Sequence, residues 1–351
     1  MRAVRLHTIG GPDNLVVEEI DAPVPAAGEV LVELRYAAFN RRDVFITQGL
    51  YPGIVLPVLP GSDGCGVVVA HGPEVSEPPL GTTVVIDPML GWGDDPALWR
   101  SDSTILGMPH AGTFAEYVVV PAENVHAKPA RLSDEHAAAL PLAGLTAYRA
   151  VFTRGRCTAD DVVLIPGVGG GVQTFALQFA KAAGARTIVT SSSEAKLERA
   201  RALGADVCIN YATSENWSKA VRAQSDGGPT LVIDSVGGET FAKALDIARP
   251  GARVVTYGGT TGDAKVRMFS IFWKQLDILG TSMGSPADFR AMLELVATSN
   301  LVPAIDEIVP LHDAAAAAAR VAAGAQFGKV VLRIADSSGN ATLSPSRSAF
   351  T

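Results

Sequence analysis

The stretch VVLIPGVGGGVQTFALQFAKAAGARTIVT, residues 162–190, decides the fold. Val162 to Ile165 form a short apolar run of the kind a parallel sheet buries on both faces. Gly167-Val168-Gly169-Gly170-Gly171 then breaks the strand. From Val172 the apolar residues recur at helical spacing, at Phe175, Ala176, Phe179 and Ala183, until Gly184 offers a stop. Thr187 to Thr190 read as the next strand. Strand, glycine loop, helix and strand in this order set a pyrophosphate on a helix N-terminus. The stretch therefore points to a dinucleotide site.

Working outward, residues 1–124 are punctuated by Gly and Pro and read mostly as short strands. These are Arg2–Leu6, Leu15–Ile20, Glu29–Tyr36, Gly64–Ala70, Thr82–Ile86 and Thr113–Val119, with one short helix after Asn40. Regular short strands with turns between them predict a β-barrel-like unit. From about residue 132 helices and strands alternate. Helices are expected from Ser133, over Leu145–Thr153, Glu194–Leu203, Glu215–Ala223 and Glu239–Ala248, and from Ser285-Pro286 to about Thr298. Strands are expected at Asp206–Ile209, Thr230–Asp234, Arg253–Tyr257 and Leu276–Gly280. This alternation predicts a doubly wound parallel sheet, so the fold class is α/β. A strand near Ile305–Val309, an alanine-rich helix after His312-Asp313 and a strand at Lys329–Ile334 are expected to rejoin the first unit. Residues 336–351, DSSGNATLSPSRSAFT, are polar and aperiodic and read as a disordered tail.

The 351 residues are enough for two domains, and 48% hydrophobic with 19% charged residues is the composition of a globular chain with a large core. The formal net charge of −7 argues against nucleic acid as a partner. No apolar run approaches the roughly 18 residues of a membrane span, and MRAVRLHTIGGP lacks the apolar core of a signal peptide. Cys65, Cys157 and Cys208 lie too far apart in sequence for a disulfide framework. The expected location is the cytoplasm.

An NAD site usually carries an Asp or Glu at the end of the second strand, about 20 residues past the first glycine. This chain has Thr190-Ser191-Ser192-Ser193 there, with Lys196 close by. Small hydroxyls and an ammonium suit a 2′-phosphate, so NADPH is expected over NADH. Ser192 or Ser193 also suits the cap of the helix that starts at Glu194. At Gln173, where a third glycine would bring helix and strand together, the expectation is a looser crossover with a solvated amide.

Several further segments carry a family resemblance. They are GGPDNLVVEE (10–19), GEVLVELRYAAFNRRD (28–43), GLYPG (49–53), LPGSDGCGVV (59–68), GTFAEYVVVP (112–121), LPLAGLTAYRA (140–150), ARALGADVCINY (200–211), VIDSVGG (232–238) and FGKVVL (327–332). With the glycine loop they cover nearly the whole chain in order. The chain resembles a medium-chain dehydrogenase/reductase of the zinc-independent quinone oxidoreductase-like branch. The resemblance implies a GroES-like catalytic barrel from residues 1–124 and 303–335, and a Rossmann cofactor domain from residues 125–302. It implies cofactor contacts at Gly169, Gly170, Gly171, Val172, Ser191, Ser192, Lys196, Tyr211, Gly258, Thr260 and Lys329, and a homodimer paired through edge strands such as Leu276–Gly280.

The departures from that family matter as much. Zinc-dependent members hold a catalytic metal on Cys, His and Cys, and the aligned positions here are Asn40, Ser62 and Leu142. Amide, hydroxyl and alkyl groups do not replace thiolate and imidazole around Zn²⁺. The lobe that elsewhere carries four structural cysteines reads MLGWGDDPALWRSDSTILGMPHA, without one. No zinc is expected. Charge on the substrate oxygen must then be met by hydrogen bonds. The resemblance offers Asn40, Asp43 and Tyr51 for the catalytic centre. Tyr51 either orients the substrate carbonyl, donates a proton or packs the mouth of the cleft. Asp43 either takes part or holds a loop, and Asp63 makes a structural bond. Arg42 is either an anion contact or a solvated helix charge. Trp273 reads as core or interface.

The expected activity is hydride transfer from NADPH to a quinone or an α,β-unsaturated carbonyl. A metal-free alcohol or aldehyde oxidoreductase and a weakly catalytic NADPH-binding sensor or structural protein are the alternatives.

Overall fold

The computed structural model describes residues 1–334, so the polar segment 336–351 lies outside the described residues. The stretch around the glycine loop folds as read. Strand Val162–Ile165 leads into helix Gly171–Ala182 and strand Arg186–Ser191. Val163, Leu164 and Ile165 are fully buried, because helices cover both faces of the sheet. Phe175 and Phe179 stack at 5.8 Å on the inner face of the helix, which Gly184 ends in the left-handed conformation at φ 82°.

Six parallel strands form the sheet, in the spatial order 207–210, 186–191, 162–165, 231–234, 253–256 and 277–280. The chain reverses direction across the sheet between 162–165 and 231–234. That reversal opens a crevice at the carboxyl ends of the strands, above the glycine loop.

The second unit is built on Glu29–Ala38, which pairs with Lys329–Arg333, Asp63–His71 and Tyr117–Pro121. Register shifts between Leu31 and Val32, and between Leu34 and Tyr36, mark bulges; such bulges let one ten-residue strand bend to serve all three partners. Strand Ile305–Pro310 pairs with Lys329–Arg333, so the C-terminal segment does rejoin the N-terminal one. The small strand Val125–Ala127 also joins this sheet, beside Thr83–Ile86.

Two expected elements move. The strand at 113–119 starts at Tyr117, because Thr113 and Phe114 donate to Gly61 and Pro60 rather than to the sheet. The helix at 145–153 starts at Pro141, where a missing N–H costs nothing, and turns into a π-helix over Arg149–Arg154. The short helix Met268–Phe272 was not anticipated.

The two units share one core, in which Cys65, Val85 and Met89 of the barrel meet Leu140, Phe175 and Phe289. The lobe after Pro88 has no cysteine and is fastened by Arg149. Its guanidinium lies 4.8 Å from the Trp92 ring, donates to Ala97 O at 2.9 Å and pairs with Asp288 at 2.6 Å.

Candidate active site

The glycine loop is tied to the second strand by Gly167 N–H on Thr190 Oγ1 (3.2 Å) and Val168 N–H on Thr190 O (2.8 Å). Its glycines are walled in. A Cβ on Gly169 would meet Lys196 Cδ at 3.2 Å, one on Gly170 would meet Gln173 Oε1 at 2.5 Å, and one on Gly171 would meet Lys329 Cδ at 2.7 Å. Val172 follows in the first turn, whose N–H groups have no partner four residues back. A glycine backbone packed under the Lys196, Gln173 and Lys329 side chains, at the start of a 12-residue helix, suits a pyrophosphate. The catalytic unit closes on it directly, since Gly328 N–H donates to Gly169 O at 2.8 Å.

At the adenosine end, Ser191 is buried and its Oγ accepts from Ser193 N–H. Ser193 caps the helix Glu194–Ala202, while Ser192 is exposed. Of the two serines expected at the cap, Ser193 takes it. Tyr211, 44% exposed, hangs beside them, its N–H on Ser191 O. Lys196 reaches over the loop to Gly324 O of the other unit at 2.5 Å, and desolvation pulls its pKa below the usual lysine range. At the opposite end, Gly258 follows strand Arg253–Thr256, and Thr260 donates to Ser235 O through both N–H and Oγ1. Gln173 is a correction: its amide is not solvated but donates to Ser235 Oγ at 2.6 Å, joining the first helix to the loop after the fourth strand.

The catalytic end is a buried polar cluster. Lys329 Nζ donates to Asn40 Oδ1 at 2.6 Å and to Asp63 Oδ2 at 2.7 Å. Asn40 Nδ2 donates to Asp63 Oδ2 at 2.9 Å, and Leu142 N–H to Asp63 Oδ1 at 2.8 Å. Exposure is 7% for Asn40, 2% for Lys329 and nil for Asp63, so the ion pair is out of water. Lys329 was expected at the cofactor; its stem does lie against Gly171, but its charge is spent on Asn40 and Asp63.

Asp43 sits at the third position of helix Arg41–Thr47 and takes Asn40 N–H at 2.7 Å. Its other oxygen is buried with no partner among the described residues, and burial pushes the carboxyl up to about 6. Arg42 fits neither expectation. It is buried, bonds Ser62 Oγ and Leu106 O at 2.7 Å each, and lies over the Tyr51 ring at 4.9 Å. Tyr51, half-buried, accepts a long bond of 3.4 Å from Arg42 Nε, leaving its own O–H to donate.

Asn40 and the Leu142 backbone, at two of the three positions aligned with zinc ligands, meet on Asp63, while neighbouring Ser62 turns to Arg42 and Leu106 O. These residues do not fit a zinc ion. They supply no thiolate or imidazole, and the Asn40 oxygen that would face a cation already carries an ammonium. Among the described residues no group of three or more His, Cys, Asp or Glu is placed to hold a metal. The cysteines are no reserve, since burial lifts the Cys65 and Cys157 thiols to about 12.

The pairing of Lys329 with Asp63 escaped the sequence reading, because 266 residues separate them. A signal was present. A lysine inside the apolar run FGKVVL and an aspartate inside GSDGCG each enter a buried strand, and each needs an opposite charge there.

Comparison with known proteins bears on this geometry. Residues 26–130 match the family described as alcohol dehydrogenase GroES-like domain, and residues 171–298 match that described as zinc-binding dehydrogenase. The zinc-type alcohol dehydrogenase-like protein YogA of Leptosphaeria maculans is 38% identical over 338 residues, covering 91% of this chain and 94% of its own. The quinone oxidoreductase of Mus musculus is 26% identical, covering 95% and 97%. A crystal structure of an NAD-dependent alcohol dehydrogenase superposes with a TM-score of 0.91 at 38% identity, over 95% of this chain and all of that one.

Proposed function

Because the chain belongs to the medium-chain dehydrogenase/reductase superfamily, an oxidoreductase family, we propose that it is a zinc-independent, NADPH-dependent reductase of quinones or α,β-unsaturated carbonyls. The observation that carries this reading is the Lys329–Asp63–Asn40 cluster, which engages Asn40, one of the three positions that the family resemblance aligns with zinc ligands, in hydrogen bonds to an ammonium and a carboxylate. When bound, the reduced nicotinamide supplies the hydride. The residues of this chain then have four tasks. Gly169, Gly170, Gly171 and Val172 cradle the pyrophosphate, and Ser191, Ser192, Lys196 and Tyr211 frame the adenosine phosphate. Gly258 and Thr260 border the nicotinamide end. Asn40, through an amide N–H, and Tyr51, through its hydroxyl, meet the charge that develops on the substrate oxygen.

Conjugation decides the acceptor class. In a quinone or enone the incoming charge spreads onto an oxygen remote from the carbon attacked, and two hydrogen bonds hold it. A simple alkoxide concentrates the charge and needs more. NADPH over NADH rests on the serine-terminated strand and on Lys196, which has no carboxylate partner among the described residues.

The test is NADPH oxidation by a panel of quinones and enones, beside NADP⁺ reduction by simple alcohols, before and after dialysis against a chelator. Turnover of alcohols alone, or activity lost to the chelator, sinks the proposal. The second reading, a metal-free alcohol or aldehyde oxidoreductase, draws on the 38% identity to a relative named as alcohol dehydrogenase-like, and the alcohol arm measures it. Tight NADPH binding without turnover would point to a sensor.

We also read the protein as a cytoplasmic homodimer. Strand Asp277–Gly280 is an open edge, and beside it Phe269, Phe272 and Trp273 are 51%, 60% and 70% exposed, which removes the core reading of Trp273. A monomer by light scattering at micromolar concentration would refute the dimer. Among the described residues no helix is long and apolar enough to cross a membrane.

A further inference from the structure

We propose that Lys329 and Asp63 are positioning residues that lock the Asn40 carboxamide in one orientation and so keep one amide N–H free for the substrate oxygen. The inference rests on the reading of Asn40 as an oxyanion donor. A carboxamide is nearly symmetric in shape, so packing alone selects poorly between its two flips. Its neighbours here select without ambiguity. An ammonium only donates and an ionised carboxylate only accepts. Lys329 Nζ lies 2.6 Å from Oδ1 and Asp63 Oδ2 lies 2.9 Å from Nδ2. Flipping the amide would set NH₂ against NH₃⁺ and C=O against COO⁻.

The lock is itself held. Asp63 is fixed through its second oxygen by Leu142 N–H at 2.8 Å, and its backbone carbonyl by Thr113 Oγ1 at 2.7 Å. The Lys329 stem is confined beneath Gly171, where a Cβ would come within 2.7 Å of Cδ. Asn40 is held from behind by its own N–H on Asp43. Of the two amide hydrogens of Asn40, Asp63 takes one, and the other has no partner among the described residues. The arrangement supplies a fixed donor in a dry site, which a rotating amide would not. It also ties the glycine loop to the catalytic centre through one side chain.

Kinetics with NADPH and an enone, together with melting curves and crystal structures, test the lock. K329M and D63N are each expected to lower kcat by about 100-fold, with KM for NADPH moving less than about threefold. K329R is expected to return to within about tenfold of wild type. The double variant D63N/K329M removes both buried charges. Its Tm is expected to recover most of what the single variants lose, while its kcat stays low. Recovery of kcat there would overturn the proposal, because neutrality alone would then be enough. N40A/K329M is expected to be no slower than N40A, and a further loss would show that Lys329 acts other than through Asn40. In crystals of D63N/K329M, which keeps neither selecting charge, the Asn40 carboxamide is expected to rotate out of its wild-type plane, and an unmoved amide would also overturn the lock. If the wild-type chain reduces no quinone or enone, the proposed function fails, and the crystallographic and melting arms still decide the lock.

Discussion

Two lysines flank the same glycine loop and live under opposite conditions. Lys196 stands beside Gly169, is half-buried and, among the described residues, finds only a backbone carbonyl, Gly324 O, across the cleft. Lys329 stands beside Gly171, is 2% exposed and is held by a carboxylate and an amide. Both ammoniums lose hydration, but only Lys329 has an ionic partner in return. An unpaired cation at the rim is available to an anionic ligand. A paired cation in the interior is committed, and what it offers is fixed geometry. On the proposed reading, the loop separates a binding charge from an orienting charge by less than one turn of helix.

The largest effect is expected from breaking the inner pair. Asp63→Leu removes the counter-ion of a buried ammonium together with the acceptor of Leu142 N–H and Asn40 Nδ2. Loss of one member of a buried ion pair costs about 3–5 kcal/mol, and urea unfolding at pH 7 is expected to show a loss of that size. Asp63→Leu combined with Lys329→Met is expected to recover a large share of it. If the single variant unfolds within 1 kcal/mol of wild type, the contrast between the two lysines fails.

A buried carboxylate with no cation in contact among the described residues is the reverse case. Asp87 accepts Met89 N–H at 3.0 Å, and burial holds its carboxyl at about 7 against an ordinary 3.8. Between those values the folded chain keeps a proton that the unfolded chain has released. Stability from this group is therefore full below about pH 4 and is lost as pH rises through about 7, at up to about 1.4 kcal/mol per pH unit. Asp43 and Asp234, both raised to about 6, act in the same direction. Asp87→Asn keeps the acceptor oxygen and removes the titration. Unfolding at pH 5 and pH 7.5 is expected to show a decline in wild type that is shallower in the variant by about 3 kcal/mol. Parallel profiles would refute this.

The same contrast explains what could be read from the residues alone. The outer layer of the cleft is local in sequence: strand, glycine loop, helix and the serine-terminated second strand lie within 40 residues, and their periods fix them. The inner layer is not. Asn40, Asp63, Leu142 and Lys329 come from four separate segments, and only the closing of the barrel strand Lys329–Arg333 onto Glu29–Ala38 brings them together. Family likeness pointed to Asn40, but not to its bonds with Lys329 and Asp63. Arg42 shows the same limit: its charge on a short helix reads as an anion contact or a solvated charge, whereas it is buried against the loop carbonyls of Leu106 and Met108. Gln173 was misread for a related reason, since Ser235 reaches it from the fourth strand.

At the outer lysine the expected effect is on binding. Lys196→Ala removes an ammonium from the rim, and a charge-assisted hydrogen bond contributes about 1.5–3 kcal/mol. Fluorescence titration is expected to show NADPH bound about 10–100-fold more weakly, NADH changed less than about threefold, and Tm unmoved. Equal loss for both cofactors would remove Lys196 from the 2′-phosphate.

The smallest effect separates two neighbouring serines. Ser193 Oγ accepts Lys196 N–H at 3.4 Å and caps the helix that carries the lysine. Ser193→Ala is expected to cost about 1 kcal/mol of stability, with the NADPH-to-NADH affinity ratio unchanged. Ser192 is exposed and its hydroxyl bonds nothing among the described residues. Ser192→Ala is therefore expected to leave stability within about 0.5 kcal/mol and to lower the affinity ratio about threefold to tenfold, the loss of one hydrogen bond to phosphate. If the ratio follows Ser193 instead, the cap residue is the phosphate ligand, and the division between binding and structural groups at this end of the cleft is drawn one residue too early.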